Sequence, residues 1–193
     1  MSGNFSQSQY LIQKKVFKFV GASFKIFDNA ENLCFFVNQK GFKLREDIRV
    51  YSDETAATEL LLIQARKIIE FSAAYDVFDS TTGEKIGALR RKGFKSMIKD
   101  EWTILDNQDA EIGMICEDSM ALAMLRRMLT SLVPQSFDGL IGGKRVFEFK
   151  QKFNPFIQKL VLDFGEDTGN LLDRRMGIAA GVLLCAIEGR QNN

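Results

Sequence analysis

The chain has 193 residues, which is enough for one domain with a substantial core. Its 26 Lys and Arg against 25 Asp and Glu give a net charge near +1, which does not favour a wholesale nucleic-acid binder, so an anionic partner has to be held by a local patch. The sequence contains no histidine, which excludes a Ser-His-Asp triad, a Cys-His pair and every histidine-containing metal site.

The cysteines and the N-terminal residues bear on the compartment. Cys34, Cys116 and Cys185 are odd in number, widely spaced and flanked by apolar residues, so we interpret them as buried free thiols in a reducing compartment. The opening MSGNFSQSQY lacks the basic-then-apolar layout of a signal peptide, and we expect a cytoplasmic protein. Residues 1–8 are predicted as a disordered tail, 9–190 as a single domain and 191–193 as a C-terminal tail.

Short extended segments dominate the chain. Many of the 17 phenylalanines fall in alternating runs, which is typical of a sheet with an aromatic interior. The spacing of the segments predicts about a dozen strands, as in an all-β sandwich or barrel. The predicted strands are 10–20, 22–28, 32–38, one or two within 40–51, 59–66, 73–79, 84–91, 95–99, 101–106, 110–117, 144–152 and 155–164.

A weak internal repeat accompanies these strands. FKIFDNAENLCFFV, YDVFDSTTGEKIGALRR and WTILDNQDAEIGMICE share an apolar strand, an aspartate, a polar turn and a second apolar strand. Asp28, Asp79 and Asp106 fall at the same place in each. An aspartate at a strand end accepts hydrogen bonds from its own backbone and starts a turn. The repeat therefore predicts hairpins rather than a metal site.

Residues 118–133 (DSMALAMLRRMLTSLV) depart from the strand pattern. Their apolar residues recur at helical spacing, Asp118 or Ser119 can serve as N-cap, and Pro134 follows the last turn. This combination predicts an amphipathic helix.

A second exception is DRRMGIAAGVLLCAIEG, residues 173–189. Its apolar run from Met176 to Ile187 has 12 residues, whereas a membrane-spanning helix needs about 20. A helix that is apolar all round cannot lie on a surface, so we predict that protein encloses it. The simplest enclosure is a closed β-barrel, wide enough for a helix about 10–12 Å across. The residues predicted to fill this barrel are Met176, Ile178, Val182, Leu183, Cys185 and Ile187.

The predicted fold is therefore mainly β, in the α+β class: a closed antiparallel β-barrel of about twelve strands around a central hydrophobic C-terminal helix. Three motifs also carry a family resemblance: YDVFDSTTGEKIGALRRKGFKS (75–96), DEWTILDNQDAEIG (100–113) and DRRMGIAAGVLLCAIEG (173–189). In order and separation they resemble the LURP-one-related proteins. These belong to the tubby C-terminal-like superfamily, which also contains the phospholipid scramblases. The resemblance covers residues 9–190 and implies the same helix-filled barrel.

The resemblance also implies a lipid-related function. Tubby domains bind phosphoinositides, and scramblases are associated with calcium-dependent lipid redistribution. This sequence departs from the scramblases because it shows neither their proline-rich leader nor their cysteine cluster for palmitoylation. LDFGEDTGNLLD matches the position of their proposed calcium segment but not an EF-hand loop, and a solvated acidic loop is the better interpretation. The weak calcium candidates in it are Asp163, Glu166, Asp167 and Asp173; no other metal site and no cofactor is predicted.

The sharpest polar feature is ALRRKGFKS, residues 88–96. Arg90, Arg91, Lys92 and Lys95 place four positive charges within six residues at a predicted strand end. Arginine forks suit phosphate geometry and lysine adds a mobile point charge, which makes the stretch a candidate site for an anionic headgroup. The alternative is a solvated hairpin whose charges serve solubility. Further basic candidates are Arg126, Arg127, Lys144 and Arg145.

These features predict a non-catalytic cytoplasmic module that binds anionic phospholipid or phosphoinositide headgroups, peripheral at the inner membrane surface and without a transmembrane span. A protein or nucleic-acid interaction module is the alternative, and the near-zero net charge argues against nucleic acid. A scramblase-like lipid-handling protein comes third. No enzyme is predicted, since Gly21-Ala22-Ser23-Phe24 does not fit the G-x-S-x-G nucleophile elbow. A protein partner and the oligomeric state are left open.

Overall fold

The computed structural model describes residues 3–15, 22–39, 47–66, 73–91, 101–117, 136–152, 154 and 157–188. Within these ranges the chain forms a 3-10 helix, twelve strands and one α-helix. Their bounds are Gly3–Phe5 for the 3-10 helix, then β1 Gln9–Lys15, β2 Ala22–Phe27, β3 Leu33–Gln39, β4 Ile48–Tyr51, β5 Glu59–Ala65, β6 Ala74–Asp79, β7 Lys85–Arg91, β8 Glu101–Leu105, β9 Glu111–Glu117, β10 Ser136–Ile141, β11 Lys144–Lys152, β12 Ile157–Asp163 and α1 Arg174–Glu188.

The twelve strands form one closed antiparallel barrel. Each strand pairs with its neighbours in sequence, and β1 pairs with β12 from Gln9 opposite Asp163 to Lys15 opposite Ile157. Closure removes the exposed edges that so long a sheet would otherwise present. The predicted closed barrel of about twelve strands is confirmed.

The two ends of the barrel differ in what the structure describes there. We call the turn end the end that holds the described turns 28–32, 52–58, 79–84, 106–110 and 142–143. The far end is the opposite one, where the odd-numbered strands β1, β3, β5, β7, β9 and β11 finish, because alternate strands run in opposite directions.

One strand was missed in the sequence. No strand is predicted between 133 and 144, and this is wrong, because β10 (Ser136–Ile141) lies between β9 and β11. Asp138 and Gly139 are residues typical of turns, so the sequence pattern does not indicate a strand here. Gly139 is required by packing, since the Phe147 ring occupies the space that a Cβ at this position would need. The predicted strand 95–99 and the predicted helix 118–133 lie outside the described residues.

Helix α1 runs through the barrel from the turn end to the far end. Asp173 caps its first turn by accepting a hydrogen bond from the Arg175 backbone N–H (2.9 Å). Near its last turn, Lys14 on β1 donates a hydrogen bond to the Cys185 carbonyl (2.9 Å). A positive charge at this end of a helix also interacts favourably with the helix dipole. The helix is therefore held at both ends by polar groups.

The sides of α1 are apolar and enclosed. Every residue from Met176 to Ala186 is buried, which confirms the enclosure predicted for this segment. Of the predicted lumen residues, Ile187 has a side chain outside the described set, and the other five are no more than 3% exposed. Those five are Met176, Ile178, Val182, Leu183 and Cys185.

Alternate residues of each strand point into the lumen and surround the helix, as the period of two in a strand requires. Aromatic rings fill much of this layer: Phe147 stands edge-on to Phe149 with centroids 5.0 Å apart, and to Phe164 with centroids 6.0 Å apart. The inward-facing residues include Tyr10, Ile12, Phe24, Ile26, Phe35, Val37, Val50, Leu61, Ile63, Tyr75, Val77, Trp102, Ile104, Phe137 and Leu162.

The segment before β1 packs across the turn end, so the disordered tail predicted for residues 1–8 is wrong for residues 3–8. Phe5 is 4% exposed and packs against Phe35, with the two rings tilted and their centroids 4.7 Å apart. Tyr10 donates its hydroxyl hydrogen to the Asn4 carbonyl (2.7 Å), and burial raises the pKa of Tyr10 to about 12, so this donor stays protonated. Phe5 is the apolar residue of this polar segment, and its burial in the core orders residues 3–8.

We expect Gly177→Ala to lower the free energy of unfolding by about 1–3 kcal/mol. A Cβ at Gly177 would overlap the Phe164 ring, which is itself fixed between other rings. This overlap outweighs the gain of about 1 kcal/mol in intrinsic helix propensity. Urea denaturation measures the change.

Gly169→Ala is the matched control, because its nearest neighbour is the Leu171 side chain at 3.6 Å. It should change stability by less than about 0.5 kcal/mol. A Gly177→Ala protein as stable as the parent would contradict the packing of α1 against Phe164.

Candidate functional site

The three repeated aspartates start turns, as predicted. Asp28 accepts hydrogen bonds from the backbone N–H groups of Ala30 (2.9 Å) and Asn32 (2.8 Å). Asp106 accepts from Gln108 and Ala110, both at 2.9 Å. Their oxygens accept hydrogen bonds from residues of their own turns, which is a structural role.

Asp79 does the same and also reaches the central helix. It accepts hydrogen bonds from the Thr81 backbone N–H (2.8 Å) and from the Arg175 guanidinium (2.5 Å). Burial raises the pKa of Asp79, but the hydrogen bonds from Thr81 and the charge of Arg175 together lower it below its ordinary 3.8. The β6–β7 turn is thus tied to the start of α1.

The two arginines at the start of α1 hold different parts of the turn end. Arg175 forms ion pairs with Asp79 and Asp173, each at 2.5 Å. Arg174 donates to the carbonyls of Ser6 and Gln7. Together they connect the helix to a hairpin turn and to the segment that precedes β1.

The acidic segment 163–173 is occupied by protein contacts. Asp163 accepts from the Gly165 backbone N–H (2.7 Å) and the Gln9 side chain (2.8 Å). Asp167 is 5% exposed and accepts the backbone N–H groups of Leu171 and Leu172.

The other two carboxylates proposed for calcium are occupied too. Glu166 forms an ion pair with Arg145, whose hydrogen bond lowers the Glu166 pKa. Asp173 caps α1 and pairs with Arg175. Among the described residues, no group of three or more Cys, Asp or Glu side chains is arranged to hold a metal ion.

Only half of the basic stretch proposed as a headgroup site is described. Arg90 and Arg91 are the last two residues of β7, at the far end, whereas Lys92 and Lys95 lie outside the described residues. Arg90 lies opposite Thr103, and its side chain is 38% exposed and paired with Glu111. Consecutive strand residues point to opposite faces, so Arg90 faces outwards and Arg91 faces the lumen side with Leu89. The two forks therefore do not converge on one point.

The further basic candidates do not join this stretch. Lys144 and Arg145 open β11 at the turn end, the opposite end of the barrel from Arg91. Arg145 is neutralised there by Glu166 and by Asp138, which lies 3.2 Å away. Arg126 and Arg127 lie outside the described residues.

Charge is distributed unevenly between the two ends. The described turns and the segment 163–173 contain carboxylates and no Lys or Arg. Cations on the adjoining strands and helix neutralise part of this charge, as in the pairs Lys25–Glu54 (2.7 Å) and Lys85–Asp109 (2.7 Å). The acidic residues of the turn end are Asp28, Glu31, Asp53, Glu54, Asp79, Glu84, Asp106, Asp109, Asp163, Glu166, Asp167 and Asp173.

At the far end, basic residues finish several strands. Lys15, Arg91 and Lys152 are the last residues of β1, β7 and β11. The acidic residues described at or next to the strand ends there are Glu117, which is buried, Glu101, and the exposed Asp47 that precedes β4. Among the described residues, the far end is therefore more positive than the turn end.

One charged cluster on the outer wall was missed in the sequence. Arg66 and Lys85 both pair with Asp76, at 2.6 and 3.1 Å, and both also pair with Asp109. These residues come from β6, β7 and flanking segments that only the barrel brings together. No signal in the sequence links them, and their mutual neutralisation indicates a structural role.

The cysteines are free, as predicted. Cys34 and Cys185 are buried and Cys116 is half-buried. Burial raises the pKa of the Cys34 thiol, which keeps it in the unreactive protonated form.

Twelve strands closed around an apolar C-terminal helix define the class as a helix-filled β-barrel. The LURP-one-related family model matches residues 8–191, and the chain belongs to this family. An X-ray structure of a protein from Arabidopsis thaliana aligns with 93% of this chain and 92% of that one, at 14% sequence identity and a TM-score of 0.52. At this identity the likeness is one of fold alone. No curated protein gave a significant match.

We expect an energetic coupling of about 1–2 kcal/mol between Asp79 and Arg175, since both side chains are four-fifths or more buried. A double-mutant cycle with Asp79→Asn and Arg175→Gln, read by urea denaturation, measures it. The folded pKa of Asp79 lies below 3.8, so the coupling is complete above that pH and is lost as pH falls through the folded value.

Asp106→Asn combined with Arg175→Gln is the matched control, because Asp106 caps an equivalent turn and accepts only backbone N–H groups. These two changes should be additive within about 0.5 kcal/mol. Equal coupling in both cycles would contradict a specific Asp79–Arg175 pair.

Proposed function

We propose that this LURP-one-related chain is a non-catalytic module that binds anionic phospholipid headgroups, phosphoinositides among them, through its basic residues. The observation that carries the proposal is the position of Arg90 and Arg91 at the far end of a barrel whose opposite end is acidic. An anionic surface attracts one end of such a molecule and repels the other. The tubby and scramblase kinship inferred from the sequence motifs favours the same class of ligand.

The chemistry of the described residues supports binding rather than catalysis. The sequence has no histidine for general acid–base work. The carboxylates of the turn end cap turns or pair with cations, and the Cys34 thiol is buried with a raised pKa. The same contacts argue against the calcium-linked, scramblase-like alternative, because Asp163, Asp167 and Asp173 already accept backbone hydrogen bonds.

Free cysteines favour a reducing compartment, and we propose that the protein is cytoplasmic and peripheral at the inner membrane surface. Among the described residues, no helix has the length and apolar character needed to cross a bilayer. A protein partner using the same basic residues remains the second proposal.

We expect the protein to sediment with phosphatidylcholine vesicles that contain phosphatidylserine or a phosphoinositide, and not with phosphatidylcholine alone. High salt should release it, because the screening length falls from about 8 Å at physiological ionic strength to about 3 Å at 1 M. Arg90→Gln combined with Arg91→Gln should weaken binding by roughly thirtyfold, since each of the two charges contributes about 1 kcal/mol near the surface.

Thermal melting of the variant checks that the fold survives, which matters because Arg91 is half-buried. Equal binding to neutral and acidic vesicles, or no binding to either, would overturn the proposed function. Intact binding by a folded Arg90→Gln/Arg91→Gln protein would show that these two residues are not the contact.

A further inference from the structure

Two lysines face each other across adjacent strands near the far end. Lys152, the last residue of β11, lies directly opposite Lys159 of β12. Both point away from the lumen, because Phe149 and Leu160, which are buried in the core, have the opposite parity on the same strands. Lys152 is exposed and Lys159 is half-buried.

This pair has no counter-ion in the part of the chain that the structure describes. Like charges directly opposite on neighbouring strands destabilise a sheet. Two other outward lysines are compensated: Lys150 pairs with Glu148 (2.8 Å) and Lys25 with Glu54 (2.7 Å). Lys152 and Lys159 are therefore a local excess of positive charge that the fold itself does not use.

The spacing of the pair suits phosphate groups. Neighbouring strands lie about 4.8 Å apart, so two ammonium groups on flexible stems can share one phosphate or contact two adjacent ones. Gln13 of β1, opposite Lys159, extends this row with a neutral hydrogen-bonding side chain.

The pair and the β7 arginines lie at the same end of the barrel but are separated by a third or more of its circumference. Strands β8, β9 and β10 separate β7 from β11 in a ring of twelve. A flat surface that touched the side wall could reach only one of the two groups. A flat surface across the far end can reach both Arg91 and Lys152.

We infer that the barrel docks end-on to an anionic bilayer, with the far end towards the headgroups and Lys152 and Lys159 among the contacts. The inference rests on the proposed function and adds the orientation and a second group of contact residues. The acidic turn end then faces away from the membrane, where its repulsion is smallest.

A bilayer fits this end better than a nucleic acid does. Single-stranded nucleic acids are bound by exposed aromatic rings that stack on the bases. Among the described residues, the exposed large apolar side chains are Met114 and Leu171, and neither is aromatic.

The test uses the first and last residues of one strand. Lys144→Glu and Lys152→Glu make the same charge change on β11, at exposed positions at opposite ends of the barrel. We expect Lys152→Glu to weaken partitioning into phosphatidylcholine–phosphatidylserine vesicles by roughly tenfold, and Lys144→Glu to leave it unchanged. Lys159→Glu should behave like Lys152→Glu, and Lys152→Gln serves as a milder variant if the glutamate protein does not fold.

Each outcome decides between the two proposals. If the parent protein binds acidic vesicles and Lys144→Glu and Lys152→Glu weaken binding equally, or neither does, the end-on orientation is overturned while the proposed function stands. If the parent binds no acidic vesicle, the proposed function fails and the orientation fails with it. Tight binding of a single-stranded oligonucleotide that Lys152→Glu abolishes, without vesicle binding, would overturn both in favour of nucleic acid.

Discussion

The enclosure of an apolar helix by a ring of strands is the interaction on which the rest of the structure depends. From Met176 to Ala186 the helix has no side that tolerates water, so it requires protein all round. The barrel in turn requires the helix, because twelve strands surround more space than their own side chains can fill. Small helix residues such as Gly177 and Gly181 let the surrounding side chains, among them Phe164 and Phe149, approach the helix backbone. The helix and the barrel therefore stabilise each other.

The same arrangement explains where the charges lie. The helix axis fixes two distinct ends, and the polar groups that hold the helix differ between them. At the start, Arg174 and Arg175 bind backbone carbonyls and carboxylates; near the finish, the buried Lys14 donates to the Cys185 carbonyl. Aspartates that begin the hairpin turns make the turn end acidic for reasons of backbone geometry alone. The difference in charge between the two ends therefore results from residues that the fold itself requires.

Much of this fold could be predicted from the sequence because its strongest signals are local. An apolar run bounded by charges, a period of two in the strands and an aspartate at each turn are all visible in short windows. Strand β10 was missed because Asp138 and Gly139 are typical of turns, and the packing that selects Gly139 comes from Phe147 on the next strand. The order of residues 3–8 was missed because it depends on Phe5 reaching Phe35, far along the chain.

The candidate site was less predictable, for a related reason. The run of positive charge at 90–95 is visible in the sequence. The ion pair between Arg90 and Glu111, and the opposite directions of the Arg90 and Arg91 side chains, depend on how the strands pair. Lys152 and Lys159 read as two ordinary surface lysines until the register places them face to face. Electrostatic sites assembled across strands need the pairing, which the residues of one strand do not specify.

The pairing of β1 with β12 also determines when the barrel can close. Of the twelve strands, β1 is synthesised first. Its partner strand β12 and the helix that fills the ring are synthesised after the other strands. Until these elements are present, the incomplete sheet exposes its apolar inner surface and two unpaired edges. Exposed apolar surface and unpaired edges both favour aggregation. The ring cannot close before β12 and α1 have been synthesised, so folding of this barrel has to wait for its C-terminal elements.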